Sequence, residues 1–289
     1  MKFKFPEKAE LIKSINNLNT IDLEKISYDK ILSILCNEIK LLPIHRCTIQ
    51  KNTPIYRARL NNNKLFISEK DILYIPNTEF ITKYQRFNEP YQQIFYGSLT
   101  LDESAKKKLI ENIYYEIVNS TIDKEENDVR LITMGRWEAI EKFEIIDTLF
   151  EETNIENLKN ENPDKIEEIE LIVKFYSNLI KKVNTNNNDY KITAAYSNYA
   201  FEQVGAPSCH GIVYHGVKTN LTGRNIALTP FAVNNFLKLK EVKLYIIIRK
   251  NNTEPKTVEL MFVKELGNNN SSFKWEFNKE NIDIINKLF

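Results

Sequence analysis

Residues 84–98 read YQRFNEPYQQIFYGS and set one arginine, Arg86, among Tyr84, Phe87, Tyr91, Phe95 and Tyr96. Two readings are open to such a stretch. Aromatic residues are good strand formers and usually fill cores, so the segment reads as a buried strand. A guanidinium beside aromatic rings also holds a phosphate while a ring stacks on a flat heterocycle. The acids and glycines elsewhere in the chain bear on the choice.

The spacing downstream predicts a helix over about 102–119, with Thr100 or Asp102 as N-cap. At 100° per residue, Ala105, Leu109, Ile113 and Ile117 form one apolar stripe. Glu116 projects from that stripe and Glu111 from the opposite side. A carboxylate on a buried face is costly unless it is paired or put to use, so Glu116 is the candidate acid and Glu111 a solvated one.

The chain has only seven glycines. Gly205, Gly211, Gly216 and Gly223 all fall in GAPSCHGIVYHGVKTNLTGRN, residues 205–225. Glycine serves where a backbone turns sharply or approaches another group closely, so the cluster suits a ligand or two tight turns around the strand GIVYHGV. No GxxxxGK[ST] or GxGxxG is present, which argues against kinases and dinucleotide-binding dehydrogenases. No HExxH or GxSxG occurs either, and His45, His210 and His215 lack metal-ligand spacing.

Composition narrows the partners. The 289 residues form one large domain or two small ones, with ample core. Forty basic residues nearly cancel thirty-nine acidic ones, leaving a formal charge of +1. No summed basic field therefore favours nucleic acid or an acidic membrane, and affinity for polyanions must be local. Cys36, Cys47 and Cys209 show no CxxC spacing and read as reduced thiols, with no zinc site. The start, MKFKFPEKAELIK, has no apolar run long enough for a signal peptide, and no later run approaches a membrane span, so a cytoplasmic protein is expected.

The elements that must carry these residues follow from periodicity. Residues 7–42 carry apolar residues at helical spacing (Ile12, Ile15, Leu18; then Leu23, Ile31, Leu35, Ile39), with Pro43 ending the second helix. From Pro54 short strands are expected at IYRARL, LFIS and QIFYGS. RLITMGRWEAIEKFEIID is strand-like, 164–183 is an amphipathic helix, and KITAAYSNYAFEQV is a further helix. VKLYIIIRK, TVELMFVKEL and SFKWEFN read as an antiparallel meander, closed by a short helix at 279–289.

Taken in order, YRARL, RFN with its following FYGS strand, the helical Glu116, MGRW and GIVYHGVKTNLTGRNIAL resemble the RES-domain family. These are bacterial toxins named for an Arg, a Glu and a Ser and usually paired with a DNA-binding antitoxin. The resemblance covers about 54–240 as a series of individually weak motifs. It implies an α+β, ADP-ribosyltransferase-like fold with a mixed, mostly antiparallel sheet. A helical N-terminal extension (1–50) would precede an NAD-processing domain (51–289) that carries a helical insertion at about 151–190.

The resemblance also implies NAD as substrate, cleaved at the nicotinamide–ribose bond by water or by phosphate as co-substrate. It implies no resident cofactor, and a helix-turn-helix antitoxin as partner. Carried over, Arg86 clamps phosphate, Tyr96 orients the nicotinamide and Glu116 stabilises the oxocarbenium-like transition state. Arg57, Ser98, Gly216 and Asn225 line the substrate. Arg57 and Arg59 are read as alternating across their strand, so that only one enters the cleft, Arg57 having the better claim. The family serine falls on Gly216, a departure with three readings: Ser98 or a backbone amide takes over its task, the reaction differs, or the activity is weakened. A mono-ADP-ribosyltransferase acting on a macromolecule and a non-catalytic NAD-binding module are the alternatives.

Overall fold

The computed structural model describes residues 3–40, 46–61, 64–74, 77–99, 127–182, 186–203, 209–216, 223–250, 256–266 and 272–281. Ten strands join in one sheet: β1 (Arg46–Ile49), β2 (Pro54–Leu60), β3 (Phe95–Leu99), β4 (Asn127–Ala139), β5 (Phe143–Asp147), β6 (Cys209–His215), β7 (Arg224–Leu228), β8 (Leu237–Lys250), β9 (Lys256–Val263) and β10 (Trp275–Phe277). Their spatial order is β1-β5-β6-β7-β3-β2-β4-β8-β9-β10. The described helices are α1 (Lys8–Thr20), α2 (Tyr28–Ile34), α3 (Glu69–Leu73), α4 (Glu152–Glu161), α5 (Ile166–Lys181), α6 (Lys191–Gln203) and α7 (Pro230–Phe236). The chain is thus α+β with a large, mostly antiparallel sheet.

The one parallel pair among the described strands, β5 with β6, explains the helices between them. Parallel neighbours need a crossover long enough to return the chain to the same end of the sheet, and α4, α5 and α6 occupy that connection. The N-terminal helices share its core. Leu11, Leu18, Ile31, Leu35 and Ile39 lie in one buried cluster with Ile169, Ile172, Tyr176, Tyr196 and Ala200, against Ile146, Ile212 and Ala227 of the sheet. Lys191 Nζ donates to Leu23 O at 2.6 Å and to Ile26 O at 3.1 Å, tying α6 to the turn before α2. On the other sheet face Ile55, Phe95, Trp137, Ile226 and Leu228 pack with Ile72 of α3 and Val233 of α7.

Several local expectations change. In α1 the buried stripe is Leu11, Ser14 and Leu18, while Ile12 is 38% exposed. Ser14 tolerates the inside because its hydroxyl donates to Glu38 Oε2 at 2.6 Å. LFIS is not a strand: Ser68 and Asp71 form a reciprocal capping box that starts α3, and this local hydrogen bonding overrides the β preference of Leu-Phe-Ile. RLITMGRWEAIEKFEIID is two strands that do not pair together. β4 lies between β2 and β8, and β5 between β1 and β6. The meander β8-β9-β10 holds, and Lys279–Asn281 is a single 3-10 turn; residues 282–289 lie outside the described residues.

Tyr96, Tyr176, Tyr196 and Tyr245 are all pushed above the ordinary phenol value of 10.0, in each case chiefly by burial. The folded protein keeps these protons while the unfolded chain releases them near pH 10, so stability falls as pH rises through that point. At pH 11 the linkage costs on the order of 1 kcal/mol per phenol, which for the four is a sizeable part of a typical domain's stability. A melting series from pH 7 to 11 is expected to stay flat to about pH 9.5 and then drop; a flat profile through pH 11 contradicts the burial of these rings.

Among the described residues no helix is long and apolar enough to cross a membrane, and no group of His, Cys, Asp and Glu could hold a metal ion.

Candidate functional site

β3 is the axis of the site. It lies between β7 and β2, but its ladder with β2 holds only two pairs, Ile55↔Leu99 and Tyr56↔Ser98. Beyond them β2 runs on to Leu60 beside β4, and β3 reaches back to Phe95 beside β7, so the two strands part. Arg57 stands at that parting. Its Nη1 donates to Tyr96 O at 2.7 Å, its Nε to Ile72 O at 3.0 Å, and its guanidinium lies over the Phe95 ring, 5.2 Å from the centroid.

The bed beneath Arg57 is built to fit. Gly135 is its partner on β4, and a Cβ there would meet the Trp137 ring at 2.5 Å. The missing side chain lets Trp137 pack edge-on to Phe95, with centroids 5.2 Å apart. Burial pulls the Arg57 guanidinium down to about 9, which still leaves it charged at neutral pH. Its hydrogen-bond partners are neutral carbonyls, and no carboxylate pairs with it among the described residues.

The expected alternation of Arg57 and Arg59 is corrected. Residues two apart share one face of a strand. Arg57 reaches Ile72 O and Arg59 Nη1 reaches Asp71 O at 2.8 Å, adjacent carbonyls of α3.

Arg86 and Tyr96 meet on the opposite face, under the helices. Arg86 Nη1 donates to Ile180 O at 2.7 Å, satisfying a carbonyl in the last turn of α5, and its guanidinium lies 5.5 Å from the Tyr190 ring centroid. It too has no carboxylate partner among the described residues. The Tyr96 hydroxyl donates to Asn88 Oδ1 at 2.7 Å and accepts from Phe87 N at 3.0 Å, so it holds the Arg86-Phe87-Asn88 turn in place. Desolvation raises its pKa, and the charges of both Arg86 and Arg57 act against that rise. In the aromatic stretch Phe87 and Phe95 are core residues, as the first reading expects, while Arg86 stands near enough to Tyr96 for its charge to act on the phenol.

One register step along β3, Ser98 faces Asn225 of β7, and its hydroxyl donates to Asn225 Oδ1 at 2.7 Å. Tyr56 of β2 and Tyr214 of β6 extend the same row on either side. Gly216 is buried just beyond β6, and its N–H donates to Gly223 O at 2.8 Å, closing the base of the β6–β7 hairpin. Glu116 lies outside the described residues.

Glu69 is a residue that the sequence reading missed. It opens α3, its Oε1 accepts from the Trp137 indole N–H at 3.1 Å, and burial raises its pKa. This places a partly desolvated carboxylate on the Trp137–Phe95 bed over which Arg57 lies. Its only signal in the chain is the Ser68-Glu69-Lys70-Asp71 cap, which marks a helix start and not an acid. No protein-family model matches the chain, and no match is found among curated proteins.

Proposed function

We propose that the chain is an NAD-cleaving enzyme of RES type, with an ADP-ribosyltransferase-like use of its sheet and its substrate seated where β2 parts from β3. The observation that carries this reading is a pair of guanidinium groups, Arg57 and Arg86, that stand on opposite faces of the sheet at the β2–β3 parting, whose charges both act on Tyr96 and whose hydrogen bonds go to neutral carbonyls. A desolvated charge without a counter-ion, as at Arg57, is costly, and a pyrophosphate supplies the missing negative charge through paired donors. The order of motifs from YRARL to GRNIAL supports the same substrate.

In the proposed reaction the bond from ribose C1 to the nicotinamide nitrogen breaks and its electron pair stays with nicotinamide, which leaves neutral. The resulting oxocarbenium-like carbon is stabilised by the Glu116 carboxylate, and Tyr96 orients the nicotinamide end. Water adds at C1 to give ADP-ribose and a proton, or phosphate adds to give the 1-phosphate. Ser98, Asn225 and the Gly216 hairpin line the ribose side.

Purified protein incubated with NAD, with and without phosphate, is expected to release nicotinamide together with free ADP-ribose or its phosphate. Label transferred to protein or nucleic acid selects a mono-ADP-ribosyltransferase instead. NAD bound and never consumed selects a binding module. In cells, induction is expected to deplete NAD and stop growth, and a co-expressed helix-turn-helix antitoxin to relieve the arrest; unchanged NAD after strong induction overturns the reading.

A further inference from the structure

Asn225 is 6% exposed, yet only one end of its carboxamide is used: Oδ1 accepts from Ser98, and the NH2 group meets no acceptor among the described residues. The amide is planar and carries acceptor and donors at opposite ends, so a hydroxyl that holds Oδ1 also fixes where the NH2 group faces. The row to which the pair belongs is chemically uniform. Tyr56 on β2, Ser98 on β3, Asn225 on β7 and Tyr214 on β6 stand side by side through the cross-strand register, and all four are neutral polar residues. The next residue in the row, Arg136 on β4, is neutralised by Glu138 and Glu241. Such a row suits a neutral polyhydroxyl group and gives no advantage to a phosphate, whereas Arg57 and Arg86 do the reverse.

We propose that Asn225 binds a hydroxyl of the nicotinamide-side ribose through its NH2 group, and that Ser98 is a positioning residue that locks the Asn225 carboxamide for this contact. The assignment rests on the NAD reading above and divides the ligand between two subsites, arginines for the pyrophosphate and the Ser98–Asn225 pair for the distal sugar. Ser98 makes its contribution only through Asn225. Loss of the serine hydroxyl frees the amide to turn and present its oxygen to the ligand.

The test compares binding of ADP-ribose, which carries the distal ribose, with binding of ADP, which lacks it, by titration calorimetry on the full chain. Wild type is expected to prefer ADP-ribose. Ser98→Ala and Asn225→Ala should each weaken ADP-ribose binding by about threefold to tenfold, the worth of one hydrogen bond, with ADP affinity unchanged. Ser98→Thr, which keeps the hydroxyl, should retain the preference. The double variant should be no worse than Asn225→Ala alone, because Ser98 has nothing left to position. Additive losses, equal losses for ADP, or equal wild-type affinity for the two ligands overturn the proposal and leave the NAD reading standing. Wild type that binds neither ligand overturns both. Should Asn225→Ala fail to fold, the contrast between Ser98→Ala and Ser98→Thr decides the matter.

Discussion

Arg57→Lys is expected to weaken NAD binding by about tenfold to a hundredfold while leaving the protein folded. Lysine keeps the positive charge but offers a single ammonium in place of a planar fork. It cannot hold Ile72 O and Tyr96 O, as the guanidinium does at 3.0 and 2.7 Å, and still present donors to a phosphate. Loss of one hydrogen bond to a charged group costs about 1.5–3 kcal/mol, which is the stated range in affinity. Thermal shift gives an independent readout, because a ligand at a hundred times its dissociation constant stabilises the folded state by about 2.7 kcal/mol. ADP-ribose should raise the melting temperature of wild type and do so far less for Arg57→Lys at the same concentration. Arg59→Lys is the control, since Arg59 shares the strand face but bonds Asp71 O, beside the Phe66 ring. If Arg57→Lys binds as wild type does, the anion seat is not at the β2–β3 parting.

The contrast between those two arginines marks how far the sequence is legible. YRARL reads as a strand, and β2 spans it; the helix at 166–181, the helix at 191–203 and the C-terminal meander also follow from periodicity alone. What periodicity cannot supply is the partner. Ser14 turns inward because Glu38 receives its hydroxyl, and that displaces Ile12 to the surface. β4 and β5 read as one run, yet their neighbours in the sheet are set by pairing with segments far along the chain.

The site shows the same division. Arg86 and Tyr96 stand out by residue type, but the contact from Arg86 to Ile180 O crosses 94 positions and that from Ser98 to Asn225 crosses 127. Glu69 carried no catalytic signal, because its position on the Trp137–Phe95 bed is made by tertiary packing.

Two carboxylates are candidates for the acid of the proposed reaction, and substitution separates them. Glu116 is singled out by helical phase together with the resemblance, and Glu69 by its contact with Trp137 and the upward pull of burial on its carboxyl. In the proposed reaction the departing nicotinamide leaves positive charge on the ribose, so the acid that faces it must be ionised and close. Glu116→Gln, equal in size and without charge, is expected to lower kcat for NAD cleavage by two to three orders of magnitude. That is about 2.7–4 kcal/mol of transition-state stabilisation, with ADP-ribose affinity nearly unchanged. Glu111→Gln should do little, because the same phase puts it on the opposite side of the helix expected from the sequence. Glu69→Gln retains an acceptor for the Trp137 N–H and should reduce kcat less than tenfold. The pH profile adds a second criterion. A carboxyl raised by burial, as Glu69 is, must lose its proton before it can stabilise a cation, so on acidification a rate carried by Glu69 would begin to fall at a higher pH than one carried by an ordinary carboxylate. If Glu69→Gln abolishes turnover while Glu116→Gln leaves it intact, the acid of the proposed reaction lies on α3, and the assignment of Glu116 is withdrawn.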